Sequence, residues 1–206
     1  MTEITMDRLV EILEDRGREA RHISAIAGPP GSGKSTVADR VAEALNAREE
    51  GSAAVFPMDG FHYDDAVLNA RGWRPRKGAP HTFDVGGFAS LLARLRDNRE
   101  EEIAVPVFDR GLEISRNAAR IIPRSVRHLI VEGNYLLLDA PHWRDLDFDT
   151  TVYLEVPIEE IERRLLSRWK DLTGDALTQK MEANDMPNAR LVVEQRRASD
   201  FVLRNV

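Results

Sequence analysis

The chain has 206 residues, 42% hydrophobic and 31% charged, which is typical of one folded domain and excludes a disordered chain. Its net charge of −6 provides no broad positive surface and argues against nonspecific binding of nucleic acid. Because the chain contains no cysteine, disulfides, thiolate metal sites and cysteine nucleophiles are excluded.

The apolar pattern along the chain alternates between helical and strand spacing. In chain order it predicts a helix over 6–16, a strand over 22–28, a helix over 34–49, a strand over 53–57, a loop over 69–82, a helix over 86–98, strands over 103–109, 127–133 and 151–156, helices over 158–172 and 187–199, and a strand or tail over 200–206. Because strands that alternate with helices pair in parallel through right-handed crossovers, the sequence predicts a three-layer α/β fold with a parallel sheet flanked by helices. No repeat or linker divides the chain, and one domain over residues 1–206 is predicted.

The N-terminal segment 1–17 is acidic and amphipathic, unlike the basic and then apolar pattern of a signal peptide. No apolar run approaches the roughly 20 residues that span a membrane. We therefore expect a cytoplasmic protein without a membrane partner. If the chain self-associates, a homodimer is expected, since it is the commonest homo-oligomer.

A glycine-rich segment, GPPGSGKST, follows the first long predicted strand and opens a helix. It matches G-x-x-x-x-G-K-[ST], the phosphate-binding loop (P-loop) of nucleoside triphosphate enzymes, in the strand–loop–helix context that this motif requires. Glycines let backbone N–H groups wrap the phosphates, and the helix N-terminus favours the anion. The predicted nucleotide-binding residues are Gly28, Pro29, Pro30, Gly31, Ser32, Gly33, Lys34, Ser35 and Thr36.

Two residues of this loop have separate expected roles. Lys34 reaches the β- and γ-phosphates of ATP, and Ser35 places its hydroxyl on Mg²⁺. The dinucleotide fingerprint G-x-G-x-x-G does not fit, because Thr36 stands where a third glycine or alanine is needed. The loop alone leaves the phosphate acceptor open among water, a protein and a small-molecule hydroxyl.

Two carboxylates are expected beside the loop. Asp59 lies 25 residues after Lys34, at the carboxyl edge of the second predicted strand, where open parallel sheets bind ligands. There it orients an acceptor hydroxyl and takes its proton, unless it only caps the turn before Gly60. Glu132 ends the strand LIVEG at the same edge and is predicted to hold Mg²⁺ or a substrate hydroxyl, with a structural strand-end carboxylate as the alternative.

The ordered motifs GPPGSGKST, MDGFHY, RKGAPHTFD and LIVEGNYLLL resemble the P-loop small-molecule kinases of the uridine kinase, phosphoribulokinase and pantothenate kinase group. The resemblance extends over residues 22–204. The segment DGF, followed by Gly78, Pro80 and FD, is similar to the pantothenate kinase pattern, although the chain is short for that enzyme. The whole set is most similar to bacterial kinases of the group, some of which are labelled fructose-transport-associated kinases.

This resemblance implies an ATP-dependent kinase for a hydroxyl of a small polar metabolite, such as the sugar fructose. It implies Asp59 as catalytic base and a small helical lid, whose arginine would close on the phosphates. Among the arginines after LEVP, Arg168 is favoured for that role because its i−4 neighbour is Arg164 and not an acid.

Further candidates for acceptor contact lie near these motifs. The basic segment 71–78 either attracts an anionic substrate or forms a solvated loop. Residues 184, 185 and 188, around Pro187, either cap a helix or contact the adenine or the acceptor. Besides Asp59 and Glu132, the predicted acceptor-binding residues are Phe61, His62, Arg76, His81 and Asn134.

Two alternatives to a sugar kinase follow from the same residues. The first keeps the chemistry and changes the acceptor to a nucleoside or a pantothenate-like molecule. The second is a regulatory or metal-insertion NTPase, since DVGG at 84–87 matches the D-x-x-G of GTPases. No [NT]-K-x-D guanine motif occurs in the sequence, which argues against this second class.

Overall fold

A parallel β-sheet forms the centre of the protein in the computed structural model, which describes residues 1–205. The strands are β1 (Thr2–Glu3), β2 (His22–Ala27), β3 (Ala53–Pro57), β4 (Glu102–Asp109), β5 (Ile114–Pro123), β6 (His128–Gly133), β7 (Thr150–Glu155) and β8 (Phe201–Arg204). Six of them form the sheet in the order β1-β8-β7-β2-β6-β3, and all neighbours pair in parallel. β2 and β6, at its centre, are almost wholly buried, as their continuous apolar runs predict.

Helices cover both faces of the sheet. They are α1 (Met6–Arg16), α2 (Lys34–Arg48), α3 (Asp65–Ala70), α4 (Val85–Asp97), α5 (Ile158–Arg168), α6 (Gly174–Lys180) and α7 (Met186–Glu194). The apolar stripes of α1 and α2 pack with Ile26, Ile130 and Val152 in one buried cluster. On the opposite face, α4 packs with Phe56 and Val131 in a second cluster. These layers confirm the predicted three-layer α/β fold.

A third and smaller cluster joins α5 to α7. Ile161 and Leu165 of α5 pack there with Met186 and Ala189 of α7. A π-helical turn, Met181–Asp185, connects α6 to α7. This helical unit stands where the sequence predicts the lid. Among residues 1–205, no helix combines the length and the apolar character that crossing a bilayer requires.

The largest departure from the predicted elements is a β-hairpin. The strand predicted over 103–109 does not join the parallel sheet; it is β4, which pairs antiparallel with β5. β5 was not predicted because its sequence, ISRNAARIIP, is polar and mostly exposed and carries no helical or strand periodicity. The short strand β1 was also missed.

The remaining differences concern helix ends, one loop and two short helices, α3 and α6, that were not predicted. Residues 69–82, predicted as loop, contain the end of α3 and 3₁₀ turns at Arg74–Arg76 and Pro80–Thr82. The predicted helices 158–172 and 187–199 end early, at Arg168 and Glu194, because the chain turns there into the lid connection and into the segment before β8.

Candidate functional site

The P-loop connects β2 to α2 at the carboxyl edge of the sheet. Gly31 and Gly33 have φ angles of 82° and 85°, a left-handed conformation that favours glycine. A Cβ atom on Gly33 would lie 2.7 Å from Asn205 Nδ2, so a side chain there would also displace Asn205. The two glycines therefore allow the tight turn that aims backbone N–H groups at a bound anion.

Lys34 and Ser35 form the first turn of α2, where the helix dipole favours negative charge. The Lys34 side chain is buried beside two carboxylates, those of Glu132 and Asp59. Burial lowers the pKa of Lys34, and the two carboxylates oppose that shift. The two carboxylates thus favour the charged form of Lys34, and a charged ammonium is suited to holding a phosphate oxygen.

Asp59 lies on a 3₁₀ turn, Met58–Phe61, that directly follows β3. Its side chain is only 14% exposed, and its Oδ2 accepts a hydrogen bond of 2.8 Å from Nη2 of Arg110. Burial alone would raise the pKa of Asp59, but His62 when it is protonated, together with Lys34 and Arg110, outweighs it and holds the pKa below its usual value. Asp59 is therefore an ionised carboxylate at neutral pH.

Glu132 lies near the end of β6 and completes the group of charges. The parallel register sets it beside Ile26 of β2 and Pro57 of β3, which brings it between the P-loop and Asp59. Ser35 Oγ donates a hydrogen bond of 3.1 Å to Glu132 Oε2. Burial raises the pKa of Glu132, and the nearby Lys34 opposes the rise. A hydroxyl and a carboxylate are oxygen donors of the kind that Mg²⁺ prefers, so the pair fits that ion.

Two adjoining cavities open beside these side chains. The P-loop cavity, of about 210 Å³, is lined by Gly31, Gly33, Lys34, Ser35 and Thr36. The second cavity, of about 90 Å³, lies against the lid and the β4–β5 turn, and we call it the acceptor cavity after the role proposed for it below. The residues that line both cavities are Pro30, Asp59, Arg110, Asn134 and Arg168. Asp59 thus stands at the boundary between a phosphate-binding loop and a second ligand space.

Several known proteins are similar to this chain, although no protein-family profile matches it. The Schizosaccharomyces pombe protein named "Putative uridine kinase C227.14" is 32% identical over 213 residues, which cover 97% of this chain and 88% of that protein. The crystal structure of a "putative fructose transport system kinase" from Silicibacter sp. TM1040 is 42% identical, covers 97% of this chain and 98% of that one, and has a TM-score of 0.88. The chain belongs to the uridine kinase and pantothenate kinase group of P-loop kinases.

A third relative marks how far the likeness to pantothenate kinases extends. The pantothenate kinase of Rhodococcus opacus is 34% identical over 151 residues, which cover 71% of this chain and 48% of that enzyme. The chain thus spans about half the length of this relative. The protein is a small-molecule kinase of the P-loop type, and the regulatory or metal-insertion NTPase alternative is set aside.

Among the predicted acceptor-binding residues of this kinase, His62 and Asn134 line the acceptor cavity. His62 Nδ1 lies 2.7 Å from the backbone oxygen of Asp59, so the neutral ring carries its proton on Nδ1 and donates it there. The ring is packed against Phe83 and Phe108, at centroid distances of 4.1 and 4.5 Å. Burial lowers the pKa of His62, although Asp59 opposes the shift.

Four of the predicted acceptor-binding residues lie outside the lining of both cavities: Phe61, Arg76, His81 and Glu132. Phe61 packs in the core, edge-on to Phe56 and Phe88. Residues two apart on a 3₁₀ turn point to different sides, so Asp59 reaches the cavity and Phe61 does not. Arg76 lies one layer behind, where its Nη2 donates to Asn188 at 3.3 Å. His81 is exposed and contacts Trp73.

The lid arginines have different positions. Arg168, predicted to close on the phosphates, is exposed and lines both cavities of the kinase. Arg164 instead donates to Glu160 at 2.6 Å and to the backbone oxygen of Ser32 at 3.4 Å. It therefore braces the P-loop from behind.

Residues 184–188 contact the acceptor side of the kinase. Asp185 and Asn188 line the acceptor cavity. Asp185 Oδ2 accepts from Nε1 of Trp169 at 2.8 Å, and Asn184 Nδ2 donates to the backbone oxygen of Lys77 at 2.9 Å. The π-helical turn thus contributes Asp185 to the lining of the cavity, and such turns are frequent at functional sites.

Several lining residues had not been predicted as site residues. Arg110 and Glu113 come from the β4–β5 turn, and Lys180 comes from the end of α6. The segment FDRG after a strand carries a turn signal, because Asp and Gly at this spacing favour a tight turn. That signal, combined with a strand assigned to 114–123, would have located Arg110 on a hairpin.

Proposed function

We propose that this kinase transfers the γ-phosphoryl group of ATP to a hydroxyl of a small polyhydroxylated metabolite of the sugar type. The observation that carries the proposal is the position of Asp59, which lines both the P-loop cavity and the acceptor cavity. A carboxylate at that boundary lies where a phosphoryl donor and a hydroxyl acceptor would meet.

The P-loop and Lys34 would hold the triphosphate. Backbone N–H groups of the loop bind the phosphate oxygens, and the buried Lys34 ammonium contacts the β- and γ-phosphates. Ser35 and Glu132 would hold Mg²⁺, which neutralises charge on the phosphates when bound. Arg168, at the edge of the P-loop cavity, would bind oxygens of the transferring group when the lid closes.

Asp59 would orient the acceptor hydroxyl and receive its proton. Its lowered pKa makes it a weak base, so its main contribution is alignment of the hydroxyl with the γ-phosphorus. The hydroxyl becomes acidic only as its oxygen bonds to phosphorus. Proton transfer to Asp59 therefore occurs late, in a loose transition state.

The acceptor cavity favours a polyol over a nucleobase. Its aromatic rings already have partners, since His62 is packed against two phenylalanine rings and Lys180 Nζ lies 4.6 Å from the Trp169 ring centroid. Stacking of a base on these rings would compete with those contacts. The remaining lining is polar, with cationic, acidic and amide groups that include Asn134, Asp185 and Asn188. Such alternating donors and acceptors match the hydroxyl groups of a sugar.

A polar space extends the acceptor cavity away from Asp59. It measures about 250 Å³ and lies between the basic segment and the lid, with Arg74, Lys77, Gln179, Lys180 and Asn184 in its lining. Lys77 is buried, and it donates to Asp65 Oδ1 at 2.7 Å and to the backbone oxygen of Glu113. Asp65 also pairs with Arg74, so one carboxylate offsets part of the charge of these two cations.

A screen for acceptor-stimulated release of ADP tests this function. The purified protein is mixed with Mg·ATP and, separately, with D-fructose, other hexoses and pentoses, uridine or pantothenate. Stimulation by one or more sugars supports the proposal. Stimulation by uridine or pantothenate alone would show that the acceptor is a nucleoside or a pantothenate-like molecule and not a sugar. If no acceptor changes the rate of ADP release, the proposed function is contradicted.

A further inference from the structure

The turn between β4 and β5 brings Arg110 to the junction of the two cavities. Its Nη2 donates to Asp59 Oδ2 at 2.8 Å, and this is its one side-chain hydrogen bond among residues 1–205. The Arg110 side chain is 62% exposed, whereas that of Asp59 is 14% exposed. The guanidinium group is therefore free to change its partner while the carboxylate keeps its position.

The backbone that carries Arg110 is held firmly. Asp109 Oδ1 accepts from the N–H groups of Gly111 and Leu112 at 3.0 and 3.1 Å, which closes the turn. Ser115 Oγ donates to the backbone oxygen of Gly60, the residue after Asp59. The hairpin and the Asp59 turn thus form one packed unit. Any rearrangement of Arg110 is a side-chain movement within reach of both cavities.

The charges around Arg110 call for a bound anion. Arg168 lines the same two cavities and forms no ion pair within residues 1–205, and Lys34 lies in the same P-loop cavity. The Asp59 carboxylate offsets only one of these three positive charges, so the lining of the P-loop cavity keeps a positive excess that attracts an anion. Arginine binds phosphate oxygens through two parallel N–H donors, so a terminal phosphate at the end of the P-loop satisfies this set.

We propose that Arg110 changes partner when the triphosphate binds. Without nucleotide it pairs with Asp59; with ATP bound it contacts the terminal phosphate and leaves the Asp59 carboxylate to the acceptor hydroxyl. Binding of the γ-phosphate to Arg110 thus frees Asp59, the residue that aligns the acceptor. This inference rests on the proposed function, because it requires ATP in the P-loop cavity and a hydroxyl beside Asp59.

The test compares ATP with ADP, which differ only in the terminal phosphate, in equilibrium titrations with Mg²⁺ and without an acceptor. The Arg110→Gln variant loses a charge-assisted contact to phosphate, so it should bind ATP about tenfold or more weakly than the wild-type protein does. Its affinity for ADP should be unchanged. Arg110→Lys keeps the charge and loses the paired donors, so its affinity for ATP should lie between those of the wild-type protein and Arg110→Gln. Arg116→Gln is the matched control, since Arg116 is exposed on the same hairpin and pairs with Asp109.

Equal weakening of ATP and ADP by Arg110→Gln, or no weakening of either, would overturn the inference. The wild-type protein separates this failure from that of the proposed function. If the wild-type protein binds ATP and phosphorylates a sugar, and Arg110→Gln prefers ATP over ADP as strongly as the wild-type protein does, only the role of Arg110 is wrong. If the wild-type protein binds no ATP, the proposed function itself fails.

Discussion

Replacement of Asp59 by asparagine removes the proposed base with almost no change of shape. The asparagine oxygen still accepts from Arg110, so the turn and the acceptor cavity should keep their structure. The variant loses the proton acceptor and the negative charge that orients the hydroxyl. Loss of general-base help lowers turnover by about 10²–10⁴. This corresponds to about 3–5 kcal/mol in the activation barrier.

The assay measures the initial rate of ADP release at saturating ATP and acceptor, and ATP affinity is titrated separately. We expect turnover to fall through that range with ATP affinity nearly intact, because the P-loop contacts remain. Asp145→Asn serves as the control, since Asp145 is exposed and lies outside both cavities. Turnover of Asp59→Asn close to the wild-type value would refute the role of Asp59 in aligning and deprotonating the hydroxyl.

Three further predictions follow. Lys34→Met should weaken ATP binding at least about tenfold, since a buried charge-assisted contact to phosphate is lost; unchanged titration curves would contradict this. Because Arg110 lowers the pKa of Asp59 in the nucleotide-free protein and the active carboxylate is lost as pH falls through that pKa, the acid limb of kcat/KM for ATP should move to higher pH in Arg110→Gln; an unmoved limb would show that the pair does not tune Asp59. Phe88→Ala, at a fully buried ring stacked 5.2 Å from Phe56, should cost about 3–5 kcal/mol in the free energy of unfolding, measured by denaturant titration; a loss below about 1 kcal/mol would contradict the packing described.

The P-loop and the sheet edge were predictable because local patterns encode them. Glycines at positions 31 and 33 are needed for the left-handed turn, and the burial of the central strands requires their apolar runs. Once those elements are placed, parallel topology brings the ends of β2, β3 and β6 together. The proximity of Lys34, Asp59 and Glu132 follows from that topology.

The acceptor side depends on tertiary packing that the apolar periodicity of the sequence does not reveal. β5 is polar and mostly exposed, so its pairing with β4, and with it the place of Arg110, could not be inferred from periodicity. For the basic segment 71–78 the sequence left two interpretations, a substrate-binding loop and a solvated loop. In the fold Lys77 is buried against Asp65, whereas Arg76 lies behind Asn188. Phe61, which is close to Asp59 in sequence, had been predicted to bind the acceptor. The 3₁₀ turn instead directs its ring into the aromatic core.

The destination of the γ-phosphoryl group tests the central claim most directly. ATP labelled with ¹⁸O in the γ-phosphate is incubated with the protein, Mg²⁺ and the sugar that gives the strongest ADP release, and the products are analysed by mass spectrometry. The proposed mechanism predicts that the label appears in a sugar monophosphate in amounts equal to the ADP formed, and that Asp59→Asn slows this transfer. Label found in inorganic phosphate alone would show that water is the acceptor and would contradict the assignment of the cavity beside Asp59 to a sugar hydroxyl.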